Sequence, residues 1–252
     1  MTDLGLAAQE LRLRRELAAA YRLVAHFRMT DLIFNHISVR LPGPDHHFLI
    51  NPYGLLYEEI TASSLVKVGL DGELVGNGPY RVNPAGFVIH SAIHAARPDA
   101  WCVLHTHTRA GCAVAAQAGG LLPLNQMALE FYGRVGYHDY EGVALNLAER
   151  ERLVKDLGDH PVLILRNHGL LTVGGTVAQA FLRMYYLEKA CEIQTAAQAG
   201  GPLVVPPREV CEYTARQLAG EAQADLQDDD AYDMTWAALL RLLDRVAPGY
   251  TT

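Results

Sequence analysis

Two short apolar runs that lead into histidines constrain this chain most. The run 101–104 leads into His105 and His107, and the run 161–165 leads to His168, which a glycine follows. Runs of this length and composition are typical of buried strands. Because alternate side chains of a strand share a face, we expect His105 and His107 side by side. The two segments therefore predict strands that bring three imidazoles together.

Three imidazoles with an open coordination position suit a divalent metal that acts as a Lewis acid or activates water. An isolated His-x-His pair more often makes surface hydrogen bonds, so the prediction depends on the strand context and on a third histidine from a second strand. We therefore predict a metal site made by His105, His107 and His168.

The composition narrows the class of protein. The chain has 252 residues, half of them apolar, which suits a single domain with a sizeable core. A formal charge of -7 without a basic run indicates neither nucleic acid nor a membrane surface as partner. The four cysteines are far apart and are expected to be reduced. Without a signal-like or membrane-length segment, we expect a cytoplasmic protein.

Hydrophobic periodicity gives a coarse order of elements. It predicts helices over 6–27, 87–96, 109–117 and 177–199, a last helix around Trp236, and strands over 36–40, 47–50 and 65–68. Residues 126–150 are mixed, and the acidic run 228–230 is expected to be a solvated loop. The alternation of strands and helices predicts an α/β or α+β fold.

Several ordered segments carry a resemblance to a known family. The chain resembles the class II aldolase/adducin family in the segments 35–38, 51–54, 83–90, 96–99, 103–107, 167–169 and 187–191. The resemblance covers about residues 8–200, with 201–252 as a helical extension of one domain, 1–252. It implies an α/β/α layered fold around a mainly antiparallel sheet, and a homotetramer with its active site near a subunit interface. The implied cofactor is zinc, with manganese, cobalt or iron as alternatives.

The resemblance also implies roles for particular residues. A tyrosine that protonates the intermediate is expected from near residue 132 or from the neighbouring subunit. Tyr132 is our first choice, Glu130 is a stand-in acid or base, and Tyr140 and Tyr185 are further alternatives. His94, on the same helix as His90, is expected at the surface. Substrate-binding roles are implied for Asn35, Ser38, Gly54, Asn83, Gly86 and His90.

One segment departs from the family pattern. Family aldolases that act on sugar phosphates have Ser-Ser-Glu where this chain has Pro84-Ala85-Gly86. Proline and alanine side chains cannot donate hydrogen bonds to a phosphate, and glycine cannot act as a base. Gly86 resembles the adducin-type branch of the family, yet all three histidines are retained. We therefore expect a working metal site with a different substrate.

These observations predict a metal-dependent lyase for a small, non-phosphorylated acid or aromatic substrate. It would cleave a C–C bond next to a carbonyl or carboxylate, by retro-aldol reaction or decarboxylation, since both pass through an enolate that a metal stabilises. Two alternatives stay open: an Fe(II)-dependent oxygenase on the same fold, and a non-catalytic assembly module that resembles adducin.

Overall fold

A computed structural model describes residues 3–76, 79–142, 149–219 and 228–252. Its strands are β1 (His36–Arg40), β2 (Phe48–Ile50), β3 (Val66–Val68), β4 (Cys102–Thr106), β5 (Val135–His138), β6 (Val162–Leu165) and β7 (Gly169–Gly174). Its α-helices are α1 (Asp3–His26), α2 (Pro84–Ala96), α3 (Arg109–Ala115), α4 (Gln126–Leu129), α5 (Glu149–Leu157), α6 (Val177–Ala199), α7 (Arg208–Leu218) and α8 (Asp228–Val246).

The strands form one sheet in the order β3-β2-β1-β4-β7-β6-β5. Every neighbouring pair is antiparallel except β5 and β6, which are parallel. The predicted mainly antiparallel sheet is therefore confirmed. Because β4 pairs with β7 and β7 with β6, the two apolar runs of the sequence lie in the middle of the sheet.

Alternate side chains of β4 enter different cores, which makes the fold layered. Cys102 and Leu104 belong to a core formed with α1 and α6. Val103 belongs to a second core, which contains Ile89 and Ile93 of α2 and residues of α5. Helices thus cover both faces, as the predicted α/β/α arrangement requires, and the side chain of His105 lies on the same face as that of Val103.

Some predicted element boundaries were wrong. Helix α2 begins at Pro84 rather than at residue 87, because proline suits the first helical position, where no amide donor is needed. The run 228–230 begins α8 and is not a loop, since acidic residues are favoured in the first turn of a helix. The prediction missed β5, β7 and the polar helices α5 and α7.

The cysteines behave as predicted. All four are free thiols, and three are buried. In the part of the chain that the structure describes, no helix has the length and apolar character needed to cross a membrane.

The hydroxyl of Tyr21 connects α1 to β1 and to the loop that follows β2. It accepts hydrogen bonds from the amides of Ile37 (2.7 Å) and Asn51 (3.2 Å). It also lies 2.5 Å from the Ile37 carbonyl oxygen. Tyr21 is fully buried, so no water can take over these contacts. The hydroxyl therefore fixes β1 and the loop after β2 relative to α1.

We expect Tyr21→Phe to lower the free energy of unfolding by about 1–3 kcal/mol, because it leaves buried amides without their acceptor. The measurement is urea unfolding. The midpoint should fall, while the slope of the unfolding free energy against urea concentration stays the same. Tyr213→Phe is the matched control, since Tyr213 is exposed on α7. Equal stability of the two variants would contradict the role given to the Tyr21 hydroxyl.

Candidate metal centre

Three histidines converge at one end of the central strands. His105 lies in β4, His107 directly follows that strand, and His168 lies in the turn between β6 and β7. Nε2 of His107 lies 2.8 Å from Nε2 of His105 and 2.9 Å from Nε2 of His168. One nitrogen of each ring lies within 4.8 Å of the others, so the three can hold a metal ion.

In two of the rings, a contact of Nδ1 determines that Nε2 is the nitrogen free to bind a metal. Nδ1 of His105 lies 2.8 Å from the Leu170 carbonyl oxygen, and Nδ1 of His107 lies 2.9 Å from a carboxylate oxygen of Asp31. Both partners are acceptors, so each neutral ring carries its proton on Nδ1. The Nε2 lone pairs then face each other, which is repulsive unless a cation lies between them. This donor set fits a divalent ion.

The turn that carries His168 needs the glycine after it. A Cβ at Gly169 would lie 2.4 Å from the Thr106 carbonyl oxygen and 3.2 Å from the ring of His107. Asn167 has a φ of 55°, in the left-handed region that asparagine tolerates better than most residues. The backbone of β7 can therefore approach the end of β4, and His168 reaches the other two imidazoles.

The site keeps the imidazoles of His105 and His168 neutral. Burial, followed by the neighbouring His107, lowers the pKa of His168 from 6.5 to about 4. Burial also lowers the pKa of His105 well below its ordinary value, and His168 and His107 add to this effect. These two rings are therefore uncharged at neutral pH, which is the form that binds metal.

A buried chain of hydrogen bonds lies beside the triad. Oγ of Ser38 lies 2.6 Å from Nδ1 of His90 and 2.7 Å from Nε2 of His94. Nδ1 of His94 lies 3.2 Å from the Ala100 carbonyl oxygen. His94 is only 2% exposed, so its predicted surface position is wrong: it faces β1, where Ser38 completes its hydrogen bonds.

The other predicted substrate-binding residues lie on turns and at the start of α2. Asn35 is buried with a φ of 74°, and its side-chain oxygen accepts from the His107 amide at 3.4 Å. Gly54 has a φ of 107° and open space around it. The Asn83 carbonyl accepts from the Phe87 amide in the first turn of α2. Gly86 lies against the ring of His36.

The predicted acid and base lie apart from the triad within one chain. Tyr132 lines a groove with Arg208 and Arg216 of α7, and Glu130 accepts from the Tyr232 hydroxyl at 3.0 Å. Both precede β5, whereas His138, at its other end, pairs with Leu165 just before the His168 turn. Their catalytic role stays a prediction.

Tyr140 follows β5 and lies at the triad end of the sheet. Its ring centroid is 6.4 Å from that of His168, and 54% of its surface is exposed. The parallel pairing of β5 with β6 explains the position of Tyr140, because it brings the residues after β5 next to the turn after β6.

Sequence reasoning missed two further residues at the centre, Asp31 and His36. Asp31 lies in an irregular segment after α1, so no periodicity marks it. His36 has a usable signal, since it stands two residues before Ser38 on one face of β1. Burial lowers the pKa of His36 to about 3, with His107 and His168 as smaller causes.

Glu188 is a buried carboxyl group behind the triad. It lies in α6 and is 5% exposed, and the Thr108 hydroxyl donates a hydrogen bond to it. Burial raises its pKa from 4.5 to about 7, although the Thr108 hydrogen bond acts in the opposite direction. The carboxyl group is thus close to half protonated near neutral pH.

A histidine triad at the end of a mainly antiparallel sheet covered by helices on both faces defines an α/β domain with a candidate metal site. The family model for the Class II Aldolase and Adducin N-terminal domain matches residues 15–195. The chain belongs to this family.

Proteins named as aldolases and as an adducin are similar to this chain. An aldolase II superfamily protein from Pseudomonas syringae has 53% identity and a TM-score of 0.89, with 97% of this chain and 96% of that chain covered. L-fuculose 1-phosphate aldolase from Glaciozyma antarctica PI12 has 30% identity and a TM-score of 0.82, with 99% and 96% covered. Alpha-adducin of Rattus norvegicus is 47% identical over 95% of this chain but only 34% of its own length.

We expect His107→Ala to abolish stoichiometric metal binding, because the site loses one of three ligands and few other groups can replace it. The measurement is the metal content of purified protein after dialysis, which should fall from about one ion per chain to nearly none. His105→Ala and His168→Ala should behave in the same way.

The matched control is His160→Ala, which removes an imidazole outside the triad. The metal affinity of Asp31→Asn should lie between that of the control and that of the triad variants, about 10- to 100-fold weaker than in the parent. The substitution weakens the hydrogen-bond partner of His107 and leaves the ligand itself in place. Full metal occupancy in the triad variants would contradict the assignment.

We expect stability to fall as pH rises from about 4.5 to about 7, because the folded chain then holds a proton on Glu188 that the unfolded chain has lost. Glu188→Gln removes this contribution. At pH 8 the variant should be more stable than the parent by on the order of 1–3 kcal/mol, a gain that shrinks toward pH 5.

Urea unfolding at several pH values measures this difference. Glu212→Gln is the control, since Glu212 is exposed and pairs with Arg208 at 2.6 Å, and surface pairs contribute little. A Glu188→Gln variant with the pH dependence of the parent would contradict the prediction.

Proposed function

We propose that this chain is a divalent-metal-dependent lyase that cleaves a C–C bond next to a carbonyl or carboxylate of a small, non-phosphorylated acid. The observation that carries the proposal is the convergence of three Nε2 atoms at the triad, two of which are left with a free lone pair because Nδ1 of the same ring faces an acceptor. A catalytic metal in proteins commonly has three protein ligands and an open position for substrate.

The ion would supply Lewis-acid chemistry, which polarises a substrate carbonyl or carboxylate. The chain's own residues keep the ligands in position. Asp31 and the Leu170 carbonyl orient the rings of His107 and His105, and Asn35 accepts from the His107 amide. Such outer contacts are needed because ligand orientation controls both metal affinity and substrate geometry.

Tyr140 is our choice for the general acid, which gives a proton to the fragment that keeps the electron pair of the cleaved C–C bond. Its ring lies near His168, and its exposed surface leaves the hydroxyl accessible to a bound substrate. A phenol can act as a general acid when it is held within hydrogen-bond reach of the reacting atom. We prefer it to Tyr132 and Glu130, which precede β5 at the opposite end of the strand.

The first turn of α2 supports the proposed substrate class. Pro84 and Gly86 offer no side-chain donor or carboxylate near the triad. A phosphate would need such donors, whereas an oxo acid or hydroxy acid can bind a metal ion through its own oxygens. The similarity to L-fuculose 1-phosphate aldolase makes a sugar phosphate the competing substrate class.

The test is a turnover screen of the zinc-, manganese-, cobalt- and iron-loaded protein with hydroxy acids, oxo acids and phenolic acids, and with fuculose and ribulose phosphates. We expect metal-dependent release of an aldehyde or carbon dioxide from an acid, and negligible cleavage of the phosphates. Tyr140→Phe should lower kcat by about 100-fold or more, since a positioned acid contributes 10²- to 10⁴-fold. Its metal content should be unchanged.

Tyr213→Phe is the control, because Tyr213 is an exposed tyrosine on α7, outside the triad. Cleavage of the sugar phosphates at about 1 per second or faster, a rate ordinary for enzymes, would contradict the substrate class. Oxygen consumption with iron would identify an oxygenase instead. A fully loaded protein that turns over none of these compounds would favour the non-catalytic module.

A further inference from the structure

His36 has polar atoms that the fold leaves without partners. It lies in β1 with 5% of its surface exposed, and neither ring nitrogen has a hydrogen-bond partner among the residues that the structure describes. Buried polar atoms are nearly always paired, and each one left unpaired costs about 1–3 kcal/mol. An unpaired imidazole beside a metal centre therefore points to a ligand that pairs with it.

The ring of His36 faces the triad. His36 lies opposite His105 in the pairing of β1 with β4. Opposite residues of an antiparallel pair share a face of the sheet, and the two rings are stacked with centroids 6.4 Å apart and planes at 17°. A molecule bound at the Nε2 atoms of the triad therefore has His36 as a neighbour.

The ring of His36 leaves no space for a side chain at position 86. A Cβ built on Gly86 would lie 2.4 Å from Cδ2 of His36 and 2.6 Å from its Nε2. Real Cβ contacts are not this short, so any side chain at position 86 must displace the imidazole. The ring thus occupies the space at the start of α2 that a side chain of residue 86 would otherwise fill.

His90 belongs with His36 and Gly86 to a buried cluster, which we call the polar cluster. The hydrogen bond between Ser38 and His90 uses Nδ1 of His90. Nε2 of His90 is buried and has no partner among the described residues, and its ring centroid lies 5.7 Å from that of His36. Three ring nitrogens that lack a partner in the described part of the chain therefore lie close together beside the triad.

We propose that His36 determines substrate specificity by donating a ring N–H hydrogen bond to a carboxylate oxygen of a small 2-hydroxy acid bound at the triad. Gly86 is needed because it leaves the imidazole in place. The proposal rests on the proposed function, since it names the substrate class of the same site. A neutral imidazole has one donor and one acceptor, so the contact requires no change in its protonation.

The experiment measures the binding of glycolate to the zinc-loaded protein by calorimetry. His36→Leu removes both ring nitrogens and should weaken glycolate binding by about 5- to 100-fold, the equivalent of losing the partner of a polar group in a buried site. His36→Gln keeps a side-chain donor and should recover part of that affinity. Zinc content should equal that of the parent in both variants.

A second set of variants tests whether a side chain at position 86 and the ring of His36 compete for the same space. Gly86→Ala should weaken glycolate binding to a similar extent, because its methyl group displaces the ring of His36. The double variant His36→Leu, Gly86→Ala should lose little more than either single variant, since both changes remove the same contact. Gly175→Ala is the control, because the nearest atom to its added Cβ is a flexible glutamine oxygen at 3.6 Å.

Three results would overturn the proposal: unchanged glycolate affinity in His36→Leu, loss of zinc in step with loss of glycolate, and a zinc-loaded parent that does not bind glycolate. Loss of zinc would make His36 a support of the metal site. A parent that binds glycolate through His36 but turns over no acid would instead overturn the proposed function alone.

Discussion

The close approach of β7 to the end of β4 is the constraint on which the centre depends. It brings a turn that carries one imidazole against a strand end that carries two, and it requires a glycine where a Cβ would lie 2.4 Å from the Thr106 carbonyl oxygen. The antiparallel pairing on the other side of β4 then adds His36 opposite His105. One register of three strands thus sets both the candidate metal ligands and the position of His36 beside them.

The parts of this centre that the sequence predicts are those governed by strand periodicity. A period of two gave the shared position of His105 and His107, and the apolar run before His168 gave a second central strand. The long helices α1 and α6 could also be predicted from periodicity. The resemblance to a family supplied the mainly antiparallel character of the sheet and the layered arrangement.

The remaining parts depend on contacts between distant segments. Asp31 is a partner of His107 only because an irregular segment folds back to it. The burial of His94 depends on Ser38 in another strand. The choice between Tyr132 and Tyr140 depends on the direction of β5 relative to β6, which local pattern does not contain. Helices α5 and α7 were missed because most of their residues are polar.

If the triad holds a metal ion, as we propose, the facing lone pairs of His105 and His107 make that ion part of the energetics of folding. An ion that binds the folded chain and not the unfolded one stabilises the fold in proportion to the logarithm of its free concentration relative to its Kd. The folded population of this chain would then follow the supply of the ion. In a cell short of the ion, the unfolded fraction would rise and degradation would remove it, so the amount of protein would follow the amount of available ion.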